Sequence, residues 1–201
     1  MKSSLDKEAL LDILRDIAER AKKRDAMIEF SVYGGTVMVI EYEARKMTRD
    51  VDVVIHRGAS FLRAIVDEIA REKEWDPGWL NDGVKGFISS NPQFQEMFTI
   101  EEDGCGLRVL RPTPEYLFAM KAMAMRGLDS ENSSDIEDIR FLVKSIGIKS
   151  FDEAADIVAS FYPKSQISPK TTFGLQELLE NILGPESVVQ RETGHEDRYE
   201  G

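Results

Sequence analysis

The hydrophobic pattern of this chain changes at Pro112, and that change restricts the folds the chain can adopt. Before Pro112, short β-branched or alternating segments, which are typical of strands, lie between segments with helical spacing. After Pro112, every apolar segment has helical spacing as far as Leu183. We therefore expect an α+β fold, in which a mixed sheet with helices is followed by a C-terminal helical bundle.

The individual elements follow from the spacing of apolar residues and from end signals. In the first part, the predicted helices are Leu5–Lys23 (capped by Ser3 or Ser4), Thr36–Ala44 and Phe61–Glu74, and the predicted strands are Ile28–Tyr33, Val51–Ile55, Met97–Ile100 and Leu107–Leu110. In the second part, the predicted helices are Thr113–Arg126, Ser134–Ile146, Phe151–Phe161 and Thr172–Leu183, with Thr113 as the cap of the first. Residues 75–91 are predicted to be an irregular segment with room for one turn of helix.

The same pattern predicts how the chain divides into domains. Residues 1–111 are expected to form the α/β core and residues 112–184 the helical domain. Residues 185–201 form an acidic tail with little periodicity, which we expect to be flexible.

Composition and charge exclude several classes of function. The chain has 26 Lys and Arg against 37 Asp and Glu, and a net charge of −11 argues against coating of nucleic acid by bulk electrostatics. No apolar run approaches the roughly 20 residues that span a bilayer, and the charged N-terminus does not have the pattern of a secretory signal. The single cysteine, Cys105, excludes an intramolecular disulfide framework. These features predict a cytoplasmic protein with no membrane partner.

Two acidic residues carry the most informative chemistry. Asp50 directly precedes the second predicted strand and Asp52 lies within it, and residues two apart in a strand project from the same face. Two neighbouring carboxylates repel one another, and both stay ionised comfortably only with a cation between them. Hard oxygen ligands suit Mg²⁺ or Mn²⁺, so these residues are the predicted metal ligands and catalytic acids.

A glycine pair precedes them by a short distance in the chain. Gly34 and Gly35 leave backbone amides open to a phosphate, the helix that follows offers its N-terminus, and Thr36 adds a hydroxyl donor. Arg45 and Arg49 are candidates to neutralise a triphosphate. A glycine pair alone most often marks a turn, and an Asp-x-Asp alone most often marks a solvated strand edge. Their combination favours nucleotide binding.

This combination resembles the nucleotidyltransferase superfamily of the DNA polymerase beta type, whose signature is a Gly-Gly or Gly-Ser turn followed by an Asp-x-Asp strand. The likeness runs from about Ile28 to Leu183. Further motifs look like those of small bacterial nucleotidyltransferases similar to AbiEii-type toxins of toxin–antitoxin systems: Trp79-Leu80-Asn81-Asp82, and Pro114-Glu115-Tyr116-Leu117 with Lys121, Arg126, Asp135 and Asp138. The resemblance implies a nucleotidyltransferase-like core.

Lys121 is also notable on physical grounds. Its neighbours at helical spacing are all apolar (Leu117, Phe118, Ala124 and Met125), and a cation in an apolar stripe needs a partner or a cleft. One interpretation is that its long stem reaches the surface. The other, supported by the resemblance, is that it faces the carboxylate strand and contacts a nucleotide phosphate.

Asp135 and Asp138 have two interpretations as well. As acids near a helix start they can complement the helix dipole. The resemblance instead makes one of them a catalytic or supporting acid, with Arg126 and Arg140 as candidate ion-pair partners. Many polymerase-beta-type enzymes use a third carboxylate on a later strand, and Glu101, Glu102 and Asp103 lie near the corresponding place without a clear strand position. The third metal ligand is therefore unassigned at this stage.

The resemblance implies a metal-dependent enzyme that moves a nucleoside monophosphate from an NTP to a hydroxyl. The acceptor is expected to be RNA, such as a tRNA end, or a protein side chain. Analogy with AbiEii-type proteins adds a toxin role with an antitoxin partner. One alternative is a degenerate module that binds a nucleotide or a partner protein, which the missing third carboxylate favours. Another is an antitoxin-like nucleotidyltransferase that modifies a partner toxin.

Overall fold

The computed structural model describes residues 4–125 and 133–184. Its helices are α1 (Lys7–Lys22), α2 (Gly34–Ile40), α3 (Ala59–Glu72), α4 (Pro114–Ala124), α5 (Ser133–Ile146), α6 (Phe151–Phe161) and α7 (Pro169–Leu183). Its strands are β1 (Met27–Val32), β2 (Val51–Arg57), β3 (Leu80–Asn81), β4 (Phe94–Glu102) and β5 (Cys105–Pro112). Short 3₁₀ helices occupy Pro77–Trp79, Gly83–Phe87 and Lys164–Gln166.

The five strands form one mixed sheet in the order β3-β2-β1-β5-β4. β1 is antiparallel to β2 and parallel to β5, β2 is parallel to β3, and β4 is antiparallel to β5. Helices α4 to α7 follow the last strand and pack on one another. The prediction of an α+β fold with C-terminal helices is therefore confirmed.

One apolar core joins the two parts of the chain. The buried cluster contains Ile17 of α1, Phe30 of β1 and Ile65 of α3 together with Phe118 of α4 and Leu142 of α5. α4 is buried on almost every side, because all residues from Tyr116 to Ala122 are buried. This central helix therefore connects the sheet with the remaining helices.

Most predicted elements are present, with shifted ends. Thr113 caps α4 as predicted, since its hydroxyl accepts a hydrogen bond from the Tyr116 amide at 3.3 Å. α1 is capped by Asp6 rather than by Ser3 or Ser4, because the Asp6 carboxylate accepts from the Ala9 amide at 2.9 Å. α7 begins at Pro169, three residues before the predicted start, with Ser168 as its cap.

Two differences concern the region of the acids and glycines. α2 begins at Gly34, so the glycine pair forms the first turn of the helix instead of separating it from β1. The segment predicted to be irregular contains β3, which is only two residues long. Such a short strand has no periodicity for the sequence to display, and it exists because β2 is next to it.

Two predictions fall outside the described residues, namely those for Arg126 and for the tail at 185–201. Among the helices within residues 4–125 and 133–184, none combines the length and apolar content needed to cross a membrane.

Candidate active site

Asp50 and Asp52 lie on one cavity of about 410 Å³ between the sheet and α4. Asp50 directly precedes β2, and Asp52 is the second residue of that strand. Asp50 is exposed and Asp52 is half-buried. We call these two residues the acid pair.

The acid pair carries unbalanced negative charge. Burial raises the pKa of the Asp52 carboxyl above its ordinary value of 3.8, and the negative charge of Asp50 raises it further. A hydrogen bond from Asn81 and the positive charge of Lys121 lower this pKa without cancelling the rise. A bound cation would relieve the repulsion between the two carboxylates.

The glycine pair meets the acid pair at the start of α2. Gly34 has a φ of +55°, in the left-handed region that favours glycine, and a Cβ there would lie 3.3 Å from Oδ2 of Asp52. A Cβ on Gly35 would lie 2.5 Å from the Thr48 hydroxyl, which leaves no room for a side chain. No side chain caps α2, so the first amides of the helix are open to a ligand.

Two threonine hydroxyls fix the backbone beside the acids. Thr36 Oγ1 and Thr48 Oγ1 donate to the Asp50 carbonyl at 3.4 and 3.2 Å. The Thr48 backbone in turn pairs with Leu5 through two hydrogen bonds of 2.8 and 2.9 Å. Thr36 is buried and its hydroxyl holds the chain next to Asp50, whereas Thr48 itself lines the cavity.

The two-residue strand β3 supports Asp52 from the other side. Asp52 is paired in register with Asn81, whose side chain hydrogen-bonds to the Asp52 carboxyl. Asn81 Oδ1 accepts from the Gly83 amide at 2.8 Å, which fixes the side chain in a tight turn. Asn81 therefore orients the more buried acid.

Helix α4 supplies the opposite wall of the cavity. Leu117, Met120, Lys121 and Ala124 lie at helical spacing along one stripe and all line it. The Lys121 side chain is only 9% exposed, so it does not extend to the surface. It lies near enough to the acid pair to lower the pKa of Asp52.

Asp138 of α5 gathers two cations from distant parts of the chain. Lys121 Nζ lies 2.6 Å from Asp138 Oδ2 and 3.1 Å from Asp135 Oδ1. Arg45 donates to both Asp138 oxygens, from Nε at 2.6 Å and from Nη2 at 2.5 Å, and it also donates to the Ser134 carbonyl at 2.9 Å. We call Arg45, Lys121, Asp135 and Asp138 the Asp138 cluster.

The composition of this cluster corrects one sequence-based assignment. Asp135 and Asp138 pair with Lys121 and Arg45, whereas Arg140, a predicted partner, is exposed. Arg45 is 93 residues from Asp138, so helical spacing carries no signal of the contact. Asp138 is 2% exposed and holds the cluster from inside, while Arg45, Lys121 and Asp135 line the cavity.

Two further groups of predicted residues lie elsewhere. Arg49 is exposed and does not line the cavity. Glu101 and Glu102 lie on β4, at the opposite edge of the sheet from β3, where Glu101 contacts Arg108 and Glu102 contacts Lys22. In residues 4–125 and 133–184, no group of three or more acids, histidines or cysteines has the arrangement of a metal site.

Sequence reasoning missed part of the cavity. Neither Thr48 nor the apolar residues Val84 and Phe87 were predicted to lie in it, although they line it. Asn81 was noted only as part of the motif Trp79-Leu80-Asn81-Asp82, without a role of its own. A turn signal was present at Asn81-Asp82-Gly83, but nothing local indicated that this turn lies beside Asp52.

The arrangement suits a ligand that bears phosphates and a divalent cation. Two carboxylates, open backbone amides and the cations Arg45 and Lys121 line one cavity, and Arg45 Nη1 would lie 3.6 Å from a Cβ on Gly35. Mg²⁺ is commonly held by one or two carboxylates together with water and substrate phosphates, so two acids are sufficient for this mode of binding. The residues present therefore fit a magnesium–nucleotide complex.

Comparison with known proteins places the chain in a family. Residues 8–166 match the family model described as a nucleotidyltransferase of unknown function (DUF6036). No curated protein and no solved structure matches the chain significantly. Because the match covers most of the sequence, including both walls of the cavity, the chain belongs to this nucleotidyltransferase family of unknown function.

Proposed function

We propose that the protein transfers a nucleoside monophosphate from an NTP to a hydroxyl group of RNA or protein. The observation that carries this proposal is the cavity, in which the acid pair faces open glycine amides and the cations of the Asp138 cluster. Family membership supports the reaction class.

Asp50 and Asp52 are the residues that would hold Mg²⁺ or Mn²⁺. Their hard oxygen donors match these ions, and a bound cation would offset the burial and the like charge of Asp50 that together raise the pKa of Asp52. When bound, the ion supplies charge neutralisation for phosphate oxygens and activation of the attacking hydroxyl. Asn81 would hold Asp52 in the orientation for binding.

The remaining polar groups position the triphosphate. The amides at Gly34 and Gly35 can donate to phosphate oxygens, because glycine lets the backbone approach closely. Lys121 provides positive charge on α4, and Arg45 provides it beside Gly35. Both are already held by Asp138, so they are presented in a fixed orientation.

The reaction is a single displacement at phosphorus. A bond forms between the acceptor oxygen and the α-phosphorus, and the bond from that phosphorus to the oxygen bridging to the β-phosphate breaks. Pyrophosphate leaves with the bonding electron pair, and the hydroxyl proton goes to solvent. Catalysis would come from positioning and charge stabilisation, as is general for phosphoryl transfer.

A second candidate function is nucleotide or partner binding without catalysis. It is favoured by the lack of a third acidic ligand beside Asp50 and Asp52 within residues 4–125 and 133–184. In this reading the family fold is kept and the chemical step is lost. The two candidates differ in whether nucleotide binding leads to a labelled product.

The test is incubation of the protein with each α-labelled NTP, Mg²⁺, total RNA and cell lysate. We expect label in an RNA band or a protein band, and its loss in Asp52→Asn. Asp82→Asn is the matched control, since Asp82 is an exposed aspartate next to Asn81 that pairs with Lys85 without lining the cavity. Metal-dependent binding of NTP with no labelled product would instead select the binding module.

The same variants test a role as a toxin. If transfer to an RNA such as tRNA is toxic, expression of the wild-type chain arrests growth and Asp52→Asn does not. An antitoxin partner would restore growth when co-expressed. Normal growth with active, labelled product would exclude the toxin role while leaving the transferase reaction in place.

A further inference from the structure

The cavity has a second half that the reaction described above does not use. Its lining includes five apolar residues on the side of α4 and the 3₁₀ helix Gly83–Phe87. We call them the apolar wall: Val84, Phe87, Leu117, Met120 and Ala124. An apolar surface next to a charged one matches the two parts of a nucleotide, a base and a phosphate chain.

Phe87 is the aromatic member of the apolar wall. Its side chain is 39% exposed, although Phe is usually buried where the fold permits. An exposed aromatic ring at a cavity can stack on a planar ligand, and every nucleobase has a π-face to offer.

The segment that carries Phe87 is fixed by the C-terminal helices. The Tyr162 hydroxyl donates to the Phe87 carbonyl. Two residues later, the Ser89 amide donates to the Tyr116 hydroxyl at 3.0 Å, and the Ser89 hydroxyl donates to the Phe161 carbonyl at 2.5 Å. Phe87 is therefore presented by an ordered segment, which lowers the entropy cost of stacking.

The other end of this segment is fixed at the acid pair. A Cβ on Gly83 would lie 3.9 Å from Asp52 Oδ1, and the Gly83 amide is held by Asn81. One short stretch of chain thus connects the carboxylate side of the cavity with the apolar wall.

We propose that the apolar wall is the nucleobase subsite and that Phe87 stacks on the base of the bound NTP. The assignment rests on the proposed function, since it places the base of the same substrate.

The test compares ligands with and without a base. Calorimetry would measure the binding of ATP, UTP and inorganic tripolyphosphate in the presence of Mg²⁺ to the wild-type chain and to Phe87→Ala. We expect Phe87→Ala to weaken ATP binding about tenfold or more, with a smaller loss for UTP because its ring is smaller. Tripolyphosphate binding should be unchanged.

Three further variants separate stacking from a structural effect. Phe61→Ala is the matched control, since Phe61 is 42% exposed on α3 and does not line the cavity, and it should leave all three affinities unchanged. Phe87→Leu keeps an apolar side chain without a π-face and should lose ATP affinity, whereas Phe87→Trp should retain it. An equal loss of ATP and tripolyphosphate affinity in Phe87→Ala, or no loss, would overturn the subsite.

Failure of the proposed function gives a different result. If the wild-type chain binds ATP and adenosine in a Phe87-dependent manner but never transfers a label, the nucleobase subsite stands and the transferase reaction does not. If neither ATP nor tripolyphosphate binds, both are overturned.

Discussion

The acid pair and the Asp138 cluster differ in how far the charges of their carboxylates are compensated. In the acid pair, burial of Asp52 and, after it, the like charge of Asp50 raise the pKa of the Asp52 carboxyl. In the Asp138 cluster, a buried carboxylate has two cations in direct contact at 2.5 to 2.6 Å. Within the part of the chain that the structure describes, the negative charge of the acid pair therefore lacks a direct cationic partner, whereas the negative charge of Asp138 is compensated by Lys121 and Arg45.

This difference indicates separate roles for the acid pair and the Asp138 cluster. An uncompensated acid pair costs stability in the free protein and recovers it when a cation binds. A compensated cluster stabilises the fold and holds Lys121 and Arg45 in place. The acid pair is therefore expected to determine activity, and Asp138 to determine stability.

The largest expected effect is on activity when the acid pair is neutralised. Asp52→Asn should reduce transfer of labelled nucleotide by about 1,000-fold or more, because one of the two carboxylates that would hold the metal ion is lost. The measurement is the initial rate of product labelling at saturating Mg²⁺. Asp82→Asn should remain within a factor of a few of the wild-type rate. A fully active Asp52→Asn would refute the role of the acid pair.

The next effect is on stability when the Asp138 cluster is broken. Asp138→Asn leaves Lys121 and Arg45 without their buried partner, and it should lower the free energy of unfolding by about 3–5 kcal/mol. Urea unfolding measures this change. Asp12→Asn, which breaks the exposed pair of Asp12 with Arg15, should cost less than about 0.5 kcal/mol. Equal effects of the two substitutions would contradict the contrast between buried and exposed pairs.

A smaller effect is expected at the residue that orients Asp52. Asn81→Ala removes the hydrogen bond to the Asp52 carboxyl, and it should weaken Mn²⁺ affinity about tenfold, as is usual for residues that support a metal ligand. Electron paramagnetic resonance of free Mn²⁺ measures the affinity. Asn91→Ala, at an exposed asparagine outside the cavity, should bind Mn²⁺ normally. Unchanged affinity in Asn81→Ala would remove Asn81 from the site.

The smallest effect concerns the dependence of stability on pH. The pKa of Asp52 is higher in the folded state than its ordinary value of 3.8, so between these two values the folded chain holds more protons than the unfolded chain. Stability then falls as pH rises through this window. The stability of Asp52→Asn does not fall through this window, because the variant has no carboxyl to titrate at this position. In the absence of metal, its melting temperature should therefore exceed that of the wild type at pH 7. The difference should disappear below pH 3.8. Thermal unfolding between pH 3 and 7 tests this sign, and a less stable variant at pH 7 would contradict it.

Most helices and strands could be predicted from the local spacing of apolar residues and from capping residues. The change at Pro112, the cap at Thr113 and the helix Phe151–Phe161 were all predictable, because each depends on residues within a few positions of one another. The strand β3 was not predictable, because two residues have no period. Its existence depends on β2, which lies some thirty positions earlier in the chain.

The candidate site divides in the same manner. The acids Asp50 and Asp52 and the glycines Gly34 and Gly35 were recognisable as a motif, and the structure places all four on one cavity. Asp138 pairs with Arg45 and Lys121 and not with the predicted Arg140, because the sequence offers only near neighbours as candidates; the other predicted partner, Arg126, lies outside the described residues. Phe87 gave no signal, since its position depends on hydrogen bonds to helices that follow much later.

By itself, the sequence determined most of the helices and strands, and it placed two acids on one short stretch that follows a glycine pair. Only the tertiary structure decided that Arg45, Lys121 and Asp138 meet, and that Asn81 and Phe87 border the same cavity as the acids. The physical reason is the separation along the chain over which each interaction acts. Backbone periodicity and capping act over a few residues, whereas charge compensation and cavity shape depend on contacts between residues far apart in the chain.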